Sequence, residues 1–298
     1  MAERILSQRD SFWKVGVAAA SAALMAASVS AQTVSLGAAG DFCVLGLDGV
    51  KLSMSNPQTS VSGNVGLGPG GIQNFSDGFI GGTYTVDPTA DNSKSNNVVI
   101  AGGTLSADLS GAVADARAAS FAASALAPTQ TFGVIKDALT IVGNGGVNVI
   151  SIESISFSGA TDKLTLEGGA SDVFIVNVSG SVKLSHKLSR IQVGGGVSES
   201  HVLFNMTAAH EPLTISGGAT IAGTYLAPNG GVRLSPAVVI GGIIGGAGET
   251  SLTSAARVEC VPFVVGGPCV PPGGVCTVDA DCCDPSNFCT EGGTCEGR

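Results

Sequence analysis

The chain has 298 residues, 44 of them Gly, with only 12% charged residues and a formal net charge of −9, about half the usual share of charge. Strict Gly-X-Y order is absent, which excludes collagen, and 44% hydrophobic residues spread in short runs exclude a disordered chain. The acidic balance disfavours nucleic acid and anionic membranes as partners.

Residues 1–31 carry Arg4, Arg9 and Lys14, an apolar run from Val15 to Val29, and then Val29-Ser30-Ala31. A positive head, a short apolar body and small residues at the end form a secretory signal, with cleavage expected before Gln32. The apolar run is short for the ~20 residues of a membrane span. No second long apolar run follows, so no membrane insertion is expected after removal, and the protein is expected to be extracellular.

The mature chain opens with short alternating runs broken by turn signals such as Asp48-Gly49 and Pro69-Gly70-Gly71. The polar stretch 87–104 reads as an exposed loop. From about 108 to 126 the chain is Ala-rich and free of Pro, and Leu109, Val113, Ala116 and Phe121 fall roughly on one helical face before Pro128 ends the run. Strand pattern resumes at Phe132 and continues to about Val258. Apolar residues there alternate with small or polar ones, as in a strand with one buried face. The phrase apolar-x-apolar-x-Gly-Gly recurs at Leu164–Gly169, Ile191–Gly196 and Leu213–Gly218, at intervals of 27 and 22 residues. That period predicts a stacked repeat of about three short strands per coil, a β-solenoid. With aromatics at 5%, its core must be built from Val, Ile, Leu and Ala.

The phrases LGAAGDFCVLGLDGV (36–50) and TSVSGNVGLGPGGI (59–72), with SDVFIVNV, HVLFNM and ATIAGTYLAPNGGVRL later, resemble the bacterial and fungal ice-binding proteins. They are similar also to the related bacterial surface domain known as choice-of-anchor A. The resemblance covers about residues 33–256. It implies an all-β fold, a right-handed β-helix (β-solenoid) with one long α-helix packed alongside, and it bounds a domain at about 32–260.

Residues 261–298 form a Pro/Gly linker and a Cys-rich module. Six of the eight Cys lie in the last 30 residues, with spacing C-x6-C-x5-C-C-x5-C-x5-C. In a secreted chain such density implies a disulfide-stapled module, since so few residues cannot bury a core. Spacing alone does not choose among the possible pairings. Its resemblance to cystine-knot miniproteins implies Cys269–Cys283, Cys276–Cys289 and Cys282–Cys295. CxxC pairs are absent and no His follows His210, which disfavours a zinc site. Cys43 and Cys260 remain near the two ends of the β region, and a Cys43–Cys260 bond would tie the first strand to the last if those strands are neighbours.

No catalytic phrase is present, and His186, His201 and His210 share no metal-ligand spacing. Between Val173 and Glu259 there is no Asp, and Glu199, Glu211, Glu249 and Glu259 stand singly. A polysaccharide-cleaving β-helix needs clustered carboxylates and is therefore the remote alternative. Neither a catalytic residue nor a metal ligand nor a cofactor is expected. An ice-binding face needs a flat, weakly charged array of methyls and hydroxyls at regular spacing, and solenoid rungs lie about 4.8 Å apart. Alternation places Thr83, Thr85, Thr165, Thr214, Ser216 and Thr220 outward, as such a face requires. It places Lys183, Arg190, Gln192 and Arg233 outward too, and charged heads hold liquid-like hydration. The leading expectation is a secreted, non-enzymatic protein with an ice crystal surface as partner. The alternative is an extracellular adhesin or structural cell-surface module. Charge on every solenoid face would favour the second. Asn74, Asn177 and Asn205 lie in N-x-Ser/Thr sequons, which in a eukaryotic host could carry glycans.

Overall fold

The computed structural model describes residues 34–207, 213–264, 287–290 and 294–297. The expected signal, residues 1–31, lies outside these, and so do Cys269, Cys276, Cys282 and Cys283, with the three tail pairings that involve them. What is described of the tail is an antiparallel hairpin, Asn287–Cys289 with Cys295–Gly297, in which Cys289 stands opposite Cys295.

The β region is a solenoid of parallel strands in which each turn of chain supplies one strand to each of three faces. Val232–Gly245 shows a whole turn in one strand: 232–235 lie on face C, 237–241 on face B and 243–245 on face A. It stacks in register on Leu213–Ala227 beneath it, with one irregularity between Ser216 and Ala219. Alternation sends every second side chain inward, so inward residues form ladders. On face B one such ladder runs Leu164, Ile191, Ile221, Val239, Val258, Val61, Ile80, every member buried. Each of these side chains contributes about 1.5–3 kcal/mol of burial. The few core aromatics sit mainly at faces A and C, with the rings of Phe204 and Tyr225 stacked 4.7 Å apart.

Chain order along the axis is broken. The first strand, Val44–Gly46, lies in the middle of the stack, between 65–67 above and 243–245 below. From it the chain winds outward to Thr104–Ser106 at one end. A helix, Ser110–Ala125, then runs back over face A, and winding restarts near the other end at Gln130–Ile135. The second block climbs until Glu249–Leu252 pairs with Lys51–Met54, and Arg257–Cys260 with Ser60–Val61. The coil at this seam is therefore composite. Its face C and face B strands come from the C-terminal side, and its face A strand, Val44–Gly46, comes from the N-terminal side.

A Cys43–Cys260 disulfide joins the pieces of that coil, with Cα atoms 5.3 Å apart. Cys260 stands in register with Gly241 of the coil below, and Val44 with Ile243. The disulfide thus occupies the corner that the Gly241–Gly242 peptide turns one rung lower. The bond ties the first strand of the β region to its last, as expected, although the two are not hydrogen-bonded neighbours: both pair with Val232–Gly245, on different faces. Gly63 is the same corner one rung higher, and a Cβ there would collide with Cys43 Sγ and lie 3.0 Å from Cys260 Sγ, so only glycine fits over the bond.

The helix matches the expected 108–126 closely, but its buried residues are Leu109, Ala112, Val113, Ala116, Ala119 and Ala123. Phe121 is 76% exposed, because five residues beyond Ala116 lie about 140° around a helix of 3.6 residues per turn. Small side chains let the helix lie close on face A, whose outer residues Leu45, Ile244, Leu226, Leu203, Val173 and Ile175 complete a second core. Two other expectations are corrected. The polar stretch 87–104 holds the strand Ser95–Ile100, which pairs with Phe75–Ile80 as the outermost rung, with Val99 pointing outward and 59% exposed. The three Gly-Gly phrases are not equivalent either. Leu164 and Ile191 share a ladder on face B, whereas Leu213 pairs with Val182 on face C.

Candidate binding faces

The six outward Thr and Ser positions are spread over the whole solenoid. Thr165 and Thr220 lie on face B, where Thr165 is only 9% exposed and accepts a hydrogen bond from Gln192 Nε2 at 3.3 Å. Thr220 lies between Arg190 and Val238 in register. Thr214 and Ser216 are on face C. Thr85 lies on face A between Gly66 and Leu105, nearly buried. Thr83 sits at the corner before it, its N–H donating to Asn64 Oδ1 at 3.0 Å. Face B brings two of the six together and face C another two; no face holds them all.

Charge divides both open faces. On face B the register runs Lys163, Arg190, Thr220, Val238, Arg257, Ser60, Phe79, Val99, so cations flank a short uncharged stretch. Arg257 pairs with Glu259 at 3.4 Å, and Glu167 is exposed nearer the edge. On face C the central outward ladder is Ser156, Lys183, Thr214, Arg233, Ser251, Ser53, Asn74, and Lys51 meets Glu249 at 3.3 Å beside it. Face A is closed over its middle by the helix.

One regular array escaped the sequence reading. Ser158, Ser185, Ser216, Ser235, Thr253, Ser55 and Ser76 each follow the last inward residue of a face C strand, and those inward residues, Phe157 to Phe75, are in register. Seven rungs therefore end on a hydroxyl about 4.8 Å from the next. Several of these hydroxyls donate to a carbonyl of the neighbouring rung, as Ser216 does to Leu184 at 3.3 Å and Thr253 to Leu234 at 3.4 Å. The signal in the sequence is the recurring apolar-Ser or apolar-Thr at a strand end (ISFS, VKLS, LTIS, VRLS, TSLT, LSMS, QNFS), masked by uneven spacing.

The buried acids are committed to backbone. Asp172 accepts from the N–H groups of Gly145, Gly146 and Gly169 and from Asn148 Nδ2, at 2.8–3.1 Å. Burial alone would raise its carboxyl, but these donors outweigh that and hold it below the usual carboxylate range. Asp87 accepts from Leu109 N and from Thr89, binding the helix start to the solenoid; burial again opposes and the hydrogen bonds prevail. Among the described residues no three His, Cys, Asp or Glu side chains gather as a metal site, and no helix is long and apolar enough to cross a membrane. Two of the sequon asparagines lie under the helix. Asn205, fully buried, donates to Ser120 O and to Asn177 Oδ1, and Asn177 donates to Ala123 O; neither amide is free for a glycan.

The family described as an ice-binding-like adhesive domain matches residues 26–254. The chain belongs to this family. No curated protein matches it. Among solved structures it is similar to an ice-binding protein from an Arctic yeast, at 20% identity and TM-score 0.55, over 80% of this chain and 99% of that one. It is similar also to an ice-binding protein of the Antarctic ascomycete Antarctomyces psychrotrophicus, at 19% and 0.56, over 77% and 98%. A Shewanella frigidimarina ice-binding domain matches at 17% and 0.50, over 76% and 96%. At these identities the likeness is one of fold, and within the family the surface of this ice-binding-like adhesive domain has to be read from its own residues.

Proposed function

We propose that this ice-binding-like adhesive domain is a secreted, non-enzymatic extracellular binding module of the adhesive kind, with a right-handed coil as in the proteins it resembles. The observation that carries the reading is charge on both open faces: Lys163, Arg190 and Arg257 on face B, Lys183 and Arg233 on face C. Exposed ammonium and guanidinium groups keep a mobile hydration shell that an ice lattice does not accept, whereas they suit polar or charged partners. Secretion is supported by the leader-like residues 1–31 and by the Cys43–Cys260 disulfide, a bond of oxidising compartments. The commitment of Asp87 and Asp172 to backbone donors supports a role without catalysis.

A specific observation favours ice as a second reading. On the three coils 249–253, 51–55 and 72–76, two outward ladders of face C hold only Ser251, Thr253, Ser53, Ser55, Asn74 and Ser76. That patch is about 10 Å long in the axial direction, small for anchoring to a crystal, and within it Ser53 is nearly buried and donates to the Glu249 carboxylate at 2.8 Å. The test is thermal hysteresis and crystal shaping by the oxidised chain 32–298. Round, unfaceted crystals without a freezing gap are expected; faceted crystals would replace the adhesive reading with the antifreeze one.

A further inference from the structure

The cations of this acidic chain are unevenly placed. Lys51, Arg117 and Arg257 each form an ion pair with an acid, and Arg233 faces Glu249 across neighbouring strands. At the corner where the chain passes from face C to face B the situation differs. Over three successive coils this corner carries Lys136, Lys163, Lys187 and Arg190, with Lys183 beside it on face C, all exposed, and none forms an ion pair with a described residue. Lys163 and Arg190 are register partners one rung apart, and Lys183 and Arg190 bracket the corner turn that holds Lys187. The acids facing them are Asp137 and Asp162, and the Asp162 carboxylate is engaged by the N–H groups of Ser158 and Gly159 at 2.9 and 2.6 Å. Like charges stacked at rung spacing repel one another, which is tolerable in water and becomes favourable once an anion lies across them.

Two further features share the line. The hydroxyl ladder of face C passes along the same corner through Ser158, Ser185 and Ser216. The Ser185 and Ser216 hydroxyls donate to carbonyls of the neighbouring rung and retain oxygen lone pairs that can accept from a partner. Leu188, in the corner turn itself, is 46% exposed and offers an apolar contact. Cations, hydroxyl acceptors and an apolar spot in a narrow strip along a straight edge suit a thin, linear, hydroxylated polyanion. A planar bilayer or a duplex would also meet the acidic remainder of the surface, at net −9 overall, and be repelled by it.

We infer that the C–B corner formed by residues 136–137, 158–163 and 183–190 is a docking line for an acidic polysaccharide, one bearing carboxylate or sulfate groups. The inference rests on the adhesive reading and names its partner class. It is tested with the oxidised chain 32–298 against alginate, dextran sulfate and neutral dextran by affinity electrophoresis at low and raised salt. Binding to a charged glycan but not to neutral dextran is expected, weakening with salt; preference for alginate would assign carboxylates as the ligand and preference for dextran sulfate would assign sulfates. The double variant Lys163→Glu/Arg190→Glu should weaken binding by about tenfold or more, with an unchanged melting temperature, while Lys94→Glu on the outermost coil should not. Equal binding by wild type and double variant, equal retention by neutral dextran, or binding to anionic vesicles in preference to both charged glycans would overturn it. So would no binding to any of the three, an outcome that leaves the adhesive reading itself to the ice-shaping test.

Discussion

Face A and face B are made from the same parallel backbone, yet they end up as different materials. Over the middle of face A both sides of the strand are dry. Inward lie Val44, Ile243, Tyr225, Phe204 and Val176; outward, in register, lie Leu45, Ile244, Leu226, Asn205 and Asn177, covered by the helix. On face B only the inward ladder is apolar, and the outward one mixes Lys, Arg, Thr and Val. A strand covered on both sides reads as a continuous apolar run, whereas one with a wet side alternates. The third layer, a helix of small residues, decides which face is scaffold and which faces are left to meet a partner.

The largest way to break the contrast is to charge the dry face. Ile244→Asp would bury a carboxylate under the helix without a partner and should prevent folding or cost several kcal/mol. Thr140→Asp, on an exposed outward position of face B, should stay within about 0.5 kcal/mol. Thermal melts of the two variants give the comparison directly; similar losses would mean that face B is covered as well.

Next in size is the seam. The Cys43–Cys260 bond closes a loop with a sequence separation of 217, for which chain entropy gives a stabilisation of up to about 5 kcal/mol. Cys43→Ser/Cys260→Ser should therefore lower the denaturant midpoint strongly. The topology adds a mechanical consequence suited to an adhesive role. Force applied between residue 32 and a handle after residue 264 passes through the disulfide and bypasses the coils between. Single-molecule pulling of the oxidised chain should release little length, and the reduced chain about 700–800 Å more. A long release under oxidising conditions would contradict the composite coil.

Much of this was legible in residues. DVFIVNV and HVLFNM stand out as continuous apolar runs and are face A strands, while LTLEGG and IQVGGG alternate and lie on face B. The Ala-rich stretch announced a helix that packs closely. What could not be read is what depends on pairing across long separations. Nothing near Val44 indicates that its lower neighbour is Ile243, so the broken winding and the glycine-like role of the disulfide corner were hidden. Five of the six Thr and Ser positions lie in strands and Thr83 at the corner before one, but period two gives inside or outside and not which of three faces. For the same reason the hydroxyl ladder and the cationic corner emerge only once rungs are stacked.

A smaller effect concerns the corner leading into face A. Asp172→Ala would strand the N–H groups of Gly145, Gly146 and Gly169 and should cost on the order of 3 kcal/mol. Since the folded carboxyl lies below its ordinary value, its contribution is complete above about pH 4 and is lost as pH falls through the depressed folded value. The wild type should thus lose stability on acidification below pH 4, and Asp172→Asn should flatten that limb. Smallest of all, Phe121→Ser on the exposed side of the helix should change stability by less than about 0.5 kcal/mol; a loss comparable to that of a buried aromatic would mean that another surface covers it.

Slow growth of an ice hemisphere in a dilute solution of the oxidised chain 32–298, with protein then measured in ice and in liquid, tests most directly whether charge on both open faces rules the surface. Rejection into the liquid, to the same degree as a protein without affinity for ice, is the predicted result. Enrichment in the ice would contradict the account and turn attention to the uncharged Ser and Thr coils of face C.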